Sequence, residues 1–289
     1  MVSETPDWKR ILANLPYLLK KTTISCFDDG LFTVAKGAAY SALLSFFPVL
    51  TTAATVFLQV RADYVQRALA EFLAQVLPPG TEQIVLDQFQ HKGARPAALL
   101  VVAVILSIWA ASSVFKSLMD GFNAAYRVPQ SRSIVAHNAV GLMLVFLATG
   151  PLVIASSLVL FGGTIESEVL VILRIDPILT PLSESWKAFS RLLRYAVALT
   201  AIVSMTSILY YYGPYRKQRW GGVFPGALLA TGLWLAATSG FAWYVRNITN
   251  YNVLYGSVGS SIALLIWMYV IAAVALIGCE FNAEIERLR

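Results

Sequence analysis

The sequence predicts an all-α, polytopic membrane protein with six transmembrane helices and short amphipathic helices outside the membrane. Six segments of 19 to 29 residues contain no Asp, Glu, Lys or Arg. About 20 apolar residues in a helix cross the hydrocarbon layer, and charges inside that layer are costly. In addition, 57% of the 289 residues are hydrophobic and only 13% are charged. Soluble domains carry about 25% charged residues, so the composition argues against a soluble class.

The six spans are expected at residues 37–60, 97–115, 134–162, 195–213, 222–245 and 253–279, after a cytoplasmic segment of residues 1–32. The third run is longer than the bilayer requires, so it must tilt or extend beyond the bilayer. Pro48 in the first span and Pro151 in the third each remove a backbone donor and kink the helix, which suits either a transporter cavity or a plain bend. Because the loops are too short for a second folded unit, residues 1–289 are expected to form a single membrane domain.

Two long connections are expected on the outer side. Residues 61–96 contain two helix-like pieces, Tyr64–Leu77 and Thr81–Gln90, separated by the breaker Pro78-Pro79-Gly80. These pieces either lie on the membrane surface and cap the bundle or form a lid that captures substrate. Residues 163–190 are expected to form a looser loop around a short helix.

The positions of basic residues indicate that both termini are cytoplasmic. Arg216, Lys217 and Arg219 lie in the short connection between the fourth and fifth spans, and short loops count most in the positive-inside rule. The net charge of +6 comes from scattered residues rather than from one basic run, so it does not indicate a nucleic-acid partner. Aromatic residues near this connection are expected to form an interfacial belt: Tyr210, Tyr211, Tyr212, Tyr215 and Trp220.

Small residues recur at a spacing of four in three spans and are expected to pack helices together. Such residues let helix backbones approach closely where lipid provides no hydrophobic drive for association. A packed monomer and a dimer face both fit this pattern, so membrane lipids and a second copy of the chain are the expected partners. The candidate packing residues are Gly37, Ser41, Gly222, Gly226, Gly256 and Ser260.

Motifs with chemical function are scarce. His91 and His137 are far apart and lack the spacing of a metal site, and no P-loop or GxSxG pattern occurs. We therefore expect no catalytic, metal-binding or cofactor-binding residues, no cofactor and no enzymatic activity. Cys26 and Cys279 both fall near the cytoplasmic face, where thiols stay reduced, so no structural disulfide is expected.

Polar residues at the ends of the spans are the candidates for function. Lys36 opens the first span and Glu280 closes the sixth, so the sequence predicts that they pair; a snorkelling lysine and a solvated glutamate are the alternative. The link between the fifth and sixth spans is either a turn with interfacial aromatics or a polar mouth. The candidate functional or pathway residues are Lys36, Tyr40, Ser45, Pro48, Asn247, Tyr251, Asn252 and Glu280.

Three segments carry a family resemblance. The first span contains Gly37-Ala-Ala-Tyr-Ser-Ala-Leu-Leu-Ser-Phe-Phe-Pro48, and the fifth contains Phe224-Pro-Gly226 with Trp234. The sixth contains Tyr255-Gly-Ser257, Leu265-Ile-Trp-Met-Tyr269 and Gly278-Cys-Glu-Phe-Asn-Ala283. Over roughly residues 25–285 the chain resembles the YihY/BrkB family of bacterial inner-membrane proteins. The resemblance implies six transmembrane helices and a bacterial inner-membrane location.

The resemblance implies little chemistry. Members have carried a ribonuclease BN label, which these residues do not support, because a ribonuclease needs acid–base groups or metal ligands at an exposed site. The link of some members to envelope or lipid phenotypes fits a transporter or permease for lipid-like or amphipathic substrates. The alternative is a non-transporting scaffold or interaction protein of the cell envelope. Charge-free span interiors argue against a proton-coupled pump but not against a groove that passes lipid tails.

Overall fold

A computed structural model describes residues 8–59, 97–129, 132–172, 184–247 and 256–288. These ranges contain eight helices and no strand: α1 (Trp8–Ala13), α2 (Leu15–Asp28), α3 (Leu31–Gln59), α4 (Ala97–Ala125), α5 (Ile134–Ile172), α6 (Glu184–Tyr212), α7 (Trp220–Asn247) and α8 (Gly256–Arg287). The six helices from α3 to α8 are long and apolar enough to cross a membrane. The predicted all-α class with six transmembrane helices is therefore confirmed.

Several helices extend beyond the charge-free runs. The α5 helix has 39 residues, about 58 Å at 1.5 Å per residue, which is nearly twice the hydrocarbon thickness. It reaches Ile172 and α6 begins at Glu184, so the loop predicted at 163–190 is wrong at both of its ends. The absence of charge marks the hydrocarbon layer, whereas a helix continues into water or headgroups without penalty. The helices predicted within 61–96 lie outside the described residues.

The six long helices form a ring in chain order. Each contacts the next along the chain, and α8 returns to contact α3 and also α4. The α2 helix packs mainly against α8 and less extensively against α3. We call the end of the ring that holds α2, the start of α3 and the end of α8 the basal end, and the opposite end the apical end. The α8 helix therefore contacts four of the other described helices: α2, α3, α4 and α7.

In α6 and α7 the described side chains pack densely at the basal end and sparsely towards the apical end. In α7 the buried residues lie between Val223 and Thr231, and none of the described side chains from there to Tyr244 is buried. In α6 the first buried residue among those described is Ala198, ten positions after the described side chains begin. The described side chains of α6 and α7 are consequently packed mainly near the basal ends of these two helices.

An aromatic contact lies in the middle of the basal core. The rings of Phe122 and Tyr210 meet edge to face with centroids 5.5 Å apart. The Tyr210 hydroxyl donates to the Ala275 carbonyl at 2.6 Å, and its side chain is fully buried. The prediction that Tyr210 belongs to an interfacial belt is therefore wrong, because its hydroxyl finds a backbone acceptor inside the bundle. Tyr211 instead stacks on Trp220, with centroids 4.2 Å apart.

The α7 and α8 helices cross at two glycines. A Cβ added to Gly226 would collide with the backbone oxygen of Gly278 and the amide of Asn282, and a Cβ on Gly278 would collide with the Gly226 oxygen. Asn282 accepts a hydrogen bond from the Gly226 N–H at 2.6 Å and donates to the Val223 carbonyl at 3.0 Å. The crossing therefore needs glycine on both helices and one buried amide that satisfies the backbone.

The other predicted packing residues divide into two groups. Ser41 faces α4, with its Oγ 3.4 Å from the Oγ of Ser117. By contrast, a Cβ on Gly37 would meet nothing within 4 Å, and one on Gly222 would meet only the Cβ of Arg219, in the turn before it, at 3.9 Å. Neither glycine therefore packs against another described helix of this chain, because a spacing of four fixes which residues share a face but not which way that face points; their place on a dimer face stays a prediction. Gly256 and Ser260 begin α8, and their side-chain surroundings lie outside what the structure describes.

Candidate functional site

A buried network of charged and polar side chains joins α2, α8 and the segment after α4 at the basal end. The residues Glu280, Glu284 and Arg287 lie on one face of α8, since spacings of four and three bring helical side chains together. Glu280 is fully buried, and Glu284 is nearly so. The Ser25 hydroxyl of α2 donates to Glu284 Oε1 at 2.7 Å. We call six residues the basal cluster: Ser25, Asp29, Arg127, Glu280, Glu284 and Arg287.

The Arg287 guanidinium is the centre of this cluster. Its Nη1 donates to Glu280 Oε1 at 2.8 Å and to Glu284 Oε1 at 2.5 Å. Its Nη2 donates to the carbonyl of Ala125, the last residue of α4, and lies 3.9 Å from Asp29 Oδ2. A guanidinium presents several donors in a fixed plane, so one side chain can hydrogen-bond two carboxylates and a carbonyl at a helix C-terminus. Arg287 thereby connects α8 to α4 and to the end of α2.

Arg127 adopts an unusual backbone conformation to reach the cluster. Its φ is +51°, the left-handed region that normally favours glycine. The Arg127 N–H donates to Ala124 O at 2.8 Å and the Val128 N–H to Asn123 O at 2.9 Å, the pattern of a Schellman motif that ends α4. The side chain then donates from Nε to Asp29 Oδ1 at 3.0 Å. Glycine would adopt this backbone conformation with less strain. What arginine adds at this position is the ion pair with Asp29 and a guanidinium at the cluster.

One carboxylate oxygen of the cluster is left without a partner. Among the described residues, Glu280 Oε2 is buried and accepts no hydrogen bond. The buried hydroxyl of Thr22 on α2 also has no partner. Glu280 Oε1 is occupied by Arg287. The second oxygen is therefore an acceptor that a proton or a ligand donor can occupy.

The Cys26 thiol and the Tyr126 phenol near the cluster stay protonated at neutral pH. Burial, with smaller contributions from Glu280, Asp29 and Glu284, raises the pKa of the Cys26 thiol to about 12. Burial and the nearby Cys279 likewise raise the pKa of Tyr126. A thiol with such a high pKa has almost no thiolate at neutral pH and is a poor nucleophile. Both Cys26 and Cys279 are free and buried, in agreement with the expectation that they form no disulfide.

A second arginine closes the C-terminus of α6. Arg132 donates from Nη1 to the carbonyl of Gly213 at 2.7 Å and from Nη2 to those of Tyr212 at 2.9 Å and Pro214 at 3.2 Å. The last carbonyls of a helix lack partners within the helix and carry partial negative charge, so a cation stabilises them. Partial burial lowers the pKa of Arg132.

A line of hydroxyl groups runs along the contact between α3 and α4. Near its apical part, Thr52 Oγ1 lies 2.8 Å from Ser107 Oγ, and near its basal part Ser41 approaches Ser117. Ser107 also donates to the Ala103 carbonyl at 2.7 Å, so the proton shared with Thr52 comes from Thr52. We call five residues the hydroxyl seam: Ser41, Ser45, Thr52, Ser107 and Ser117.

Most of the chain matches the sequence model of one protein family. Residues 26–289 match the family model described as virulence factor BrkB. The chain belongs to the BrkB family. The predicted resemblance is thus confirmed, and the match includes all six long helices of this BrkB-family protein.

Relatives of this BrkB-family protein carry general names. The ribonuclease-like protein YfkH of Bacillus subtilis is 26% identical over 253 residues, which cover 86% of this chain and 88% of YfkH. A UPF0761 membrane protein of Alkalilimnicola ehrlichii is 26% identical over 279 residues, 96% of this chain but 59% of that protein. Another UPF0761 membrane protein, from Pseudoalteromonas translucida, is 24% identical over 266 residues, 90% of this chain and 83% of its own length. No solved structure matches the chain.

The predicted pairing of Lys36 with Glu280 is wrong in this BrkB-family protein. Lys36 is exposed on the second turn of α3, and Tyr40, one turn further along, is 61% exposed. The face of α3 that turns inward carries Ala35 and Ala38. Glu280 instead pairs with Arg287 on its own helix. The sequence prediction missed this partner because it treated residues 280–289 as a tail, whereas α8 continues through them to Arg287.

Of the remaining predicted site residues, Ser45 and Pro48 lie on α3, away from the basal cluster. Ser45 is buried on α3 and donates to the Ala42 carbonyl at 2.9 Å, and Pro48 lies inside the same helix. Asn247 is the last residue of α7, and its side chain lies outside what the structure describes. Tyr251 and Asn252 lie outside the described residues.

Proposed function

We propose that this BrkB-family protein is a permease that moves lipid-like or amphipathic molecules across the membrane along the hydroxyl seam. The observation that carries the proposal is a line of neutral hydroxyls within two apolar transmembrane helices. Hydroxyl groups replace the hydrogen bonds that a polar headgroup loses when it leaves water, and buried polar groups without such bonds are costly. Because the seam is uncharged, it suits passage of a headgroup without coupling to an ion.

The dimensions of the seam support this proposal. Ser41 and Thr52 are 11 positions apart on α3, which corresponds to about 16 Å of helix, or roughly half of the hydrocarbon thickness. Large apolar side chains are exposed on the flanks of both helices next to seam residues, among them Leu44 beside Ser45 on α3 and Leu106 beside Ser107 on α4. In this arrangement the headgroup follows the hydroxyls while the acyl chains stay in lipid.

Pro48 supplies a point at which the seam can open. It lies inside α3 between Ser41 and Thr52 and has no N–H to donate to the carbonyl of Leu44, so the helix bends there more easily. The contact between α3 and α4 is the most extensive one between described helices, so a bend at Pro48 is the movement that would part their apical ends. The basal end, which is tightly packed, remains closed during that movement.

We further propose that the protein lies in the bacterial inner membrane with its basal end and both termini in the cytoplasm. Arg216, Lys217 and Arg219 belong to the short connection from α6 to α7 at the basal end, and Lys20 and Lys21 lie on α2 at the same end. Basic residues close to the ends of transmembrane helices favour the cytoplasmic side.

We also propose that the protein is not an enzyme. The carboxylates of the basal cluster are held by Arg287, Arg127 and Ser25, and the one oxygen without a partner, Glu280 Oε2, is buried, so the cluster presents no acid or base to a large substrate such as RNA. The ribonuclease-like name belongs to YfkH. Purified protein is expected to leave RNA intact, and cleavage that co-purifies with the folded protein would refute this part of the proposal.

Transport is tested in liposomes that contain fluorescently labelled phospholipid in both leaflets. A membrane-impermeant reductant quenches only the outer leaflet, so the loss of inner-leaflet protection reports lipid movement. Wild-type protein should remove this protection, and the double variant Thr52→Val with Ser107→Ala should slow the loss because it removes two seam hydroxyls with little change in volume.

The matched control changes hydroxyls elsewhere in the bundle. On α6, Thr200 is exposed and Ser204 is half-buried, and each donates to a backbone carbonyl of its own helix, so Thr200→Val with Ser204→Ala should transport lipid at the wild-type rate. Equal rates for both double variants, or no lipid movement with wild-type protein, would reject the seam as the pathway. Unchanged melting temperatures exclude misfolding as the cause of a slower rate.

A further inference from the structure

A cavity of about 290 Å³ opens between α2 and the end of α8. This volume is close to the lower limit of ligand pockets, about 300 Å³, which suits a headgroup rather than a whole lipid. Part of its wall is the face of the basal cluster opposite the packed core. The residues that line it are Tyr17, Lys21, Arg127, Glu284, Arg287 and Leu288.

Basic side chains outnumber carboxylates among the residues that line this cavity. Three basic side chains, Lys21, Arg127 and Arg287, face one carboxylate, Glu284. Glu284 Oε1 is already held by Arg287 and Ser25, which reduces its repulsion of an anion. Within the part of the chain that the structure describes, Lys21 makes no ion pair, so its ammonium group is available to a ligand. Arginine and lysine together bind phosphate oxygens through charge-assisted hydrogen bonds.

The backbone of Arg127 points to the same use. A non-glycine residue with left-handed φ is strained and persists where surrounding structure or function requires its side chain. Here the strained backbone holds the Arg127 guanidinium on the cavity wall. The ion pair with Asp29 leaves the remaining guanidinium nitrogens of Arg127 for other acceptors, since only Nε contacts that carboxylate.

Exposed apolar residues on α2 place the cavity next to lipid. Tyr17 lines the cavity and is more than half exposed, and Ile24 and Phe27 are exposed on the same helix, the latter to 69%. A helix with a buried face and an exposed apolar face at the end of a transmembrane bundle lies in the headgroup region. A phosphate that reaches the cavity from this side would bring its acyl chains along the apolar surface of α2.

We propose that this cavity binds a phosphate group, and that the phosphate belongs to the headgroup of an anionic membrane phospholipid. The site goes beyond the permease proposal, because it lies at the basal end and away from the hydroxyl seam. Its occupancy joins α2 to α8 through a lipid and fixes the basal end at the level of the headgroups.

Native mass spectrometry of the detergent-solubilised protein, titrated with defined lipids, tests the proposal. Phosphatidylglycerol should bind at a saturable site more tightly than zwitterionic phosphatidylcholine. Lys21→Gln and Arg127→Gly should each weaken phosphatidylglycerol binding about tenfold, the loss expected for one charged hydrogen bond. Arg127→Gly also relieves the backbone strain, so it separates loss of the ligand from loss of the fold.

Lys20→Gln is the matched control, because Lys20 is exposed on the same helix and does not line the cavity. Equal phosphatidylglycerol binding by all four proteins would overturn the site. Equal binding of oleate would overturn its specificity for phosphate, and displacement of the lipid by inorganic phosphate at comparable concentrations would overturn the lipid as the source. Binding is measured without transport, so a failure of the permease proposal leaves this result unaffected.

Discussion

At the scale of single residues, Arg287 has the greatest electrostatic effect on the basal end. It is the cation closest to two carboxylates that are almost completely buried, Glu280 and Glu284. Removing one partner of a buried ion pair is far more costly than the pair is worth, because the remaining charges stay in a poor solvent. In contrast, the surface pair between Arg216 and Glu286 is partly solvated on both sides.

We therefore expect Arg287→Gln to destabilise the protein by about 3 kcal/mol, near the lower limit for a buried pair because Arg287 is partly exposed. Arg216→Gln, the control at an exposed pair, should cost about 0–1 kcal/mol. Thermal unfolding in detergent, followed by circular dichroism, measures both changes. Similar shifts for the two variants would show that the basal cluster is solvated rather than buried.

Cys26 provides a prediction about reactivity. Its pKa is raised to about 12 by burial and by neighbouring carboxylates, so the thiol stays protonated until the pH approaches that value, and only about one molecule in 10⁴ carries the thiolate at pH 8. A maleimide reagent at pH 8 should leave Cys26 and Cys279 unmodified in the folded protein and should modify both after denaturation. Lys20→Cys, on the exposed side of α2, should react at once. Rapid modification of the folded wild type would show that the region around Cys26 opens.

At the scale of helices, the crossing of α7 and α8 leaves no room for a side chain. Gly226→Ala and Gly278→Ala place a methyl group against backbone atoms of the facing helix, which cannot move aside. Each should destabilise the protein by about 1–3 kcal/mol or more. Gly232→Ala, on the open part of α7, meets nothing within 4 Å and should be neutral or stabilising by up to about 1 kcal/mol. Melting temperatures of the three variants provide the comparison; a crossing that tolerates alanine would contradict the contact.

The helices themselves were predictable, whereas their ends and facing directions were not. A run without charges identifies a transmembrane helix because the hydrocarbon layer excludes charge, and this was sufficient for all six spans. The same criterion ends α8 at Cys279, although the helix continues to Arg287, and so it hid the partner of Glu280. Gly226 and Gly37 had identical sequence signals, yet only Gly226 faces another helix. Facing direction depends on contacts between distant segments, which the local spacing does not contain.

At the scale of the whole molecule, contacts between helices determine the ring order, whereas charges in the loops determine the orientation in the membrane. The structure gives the order, with α8 closing the ring against α3. The orientation rests on the positive-inside rule, which depends on charges in short loops. The ring order could not be predicted from the sequence, because six apolar helices of similar length are compatible with several arrangements.

Orientation is tested by cysteine labelling in intact cells. The buried native thiols give no background, so single cysteines can be added to the wild-type chain. A membrane-impermeant maleimide should label Gly80→Cys, in the long connection after α3, and should not label Lys217→Cys at the basal end until the cells are lysed. The reverse pattern would place the basal end outside and would reject a cytoplasmic location for both termini.

The contact between Ser25 and Glu284 joins residues 259 positions apart in the sequence. During biosynthesis, this separation sets a delay between the synthesis of α2 and that of its packing partner. A ribosome adds about 5–20 residues per second, so Ser25 waits roughly 10–50 s for Glu284, its hydrogen-bond partner on α8. During that interval α2 has no α8 to dock on, and the early helices must be retained in an unfinished bundle. A ribosome-stalled chain that ends before Glu280 should therefore leave α2 open to protease, while the finished protein protects it; early protection would show that α2 docks elsewhere first.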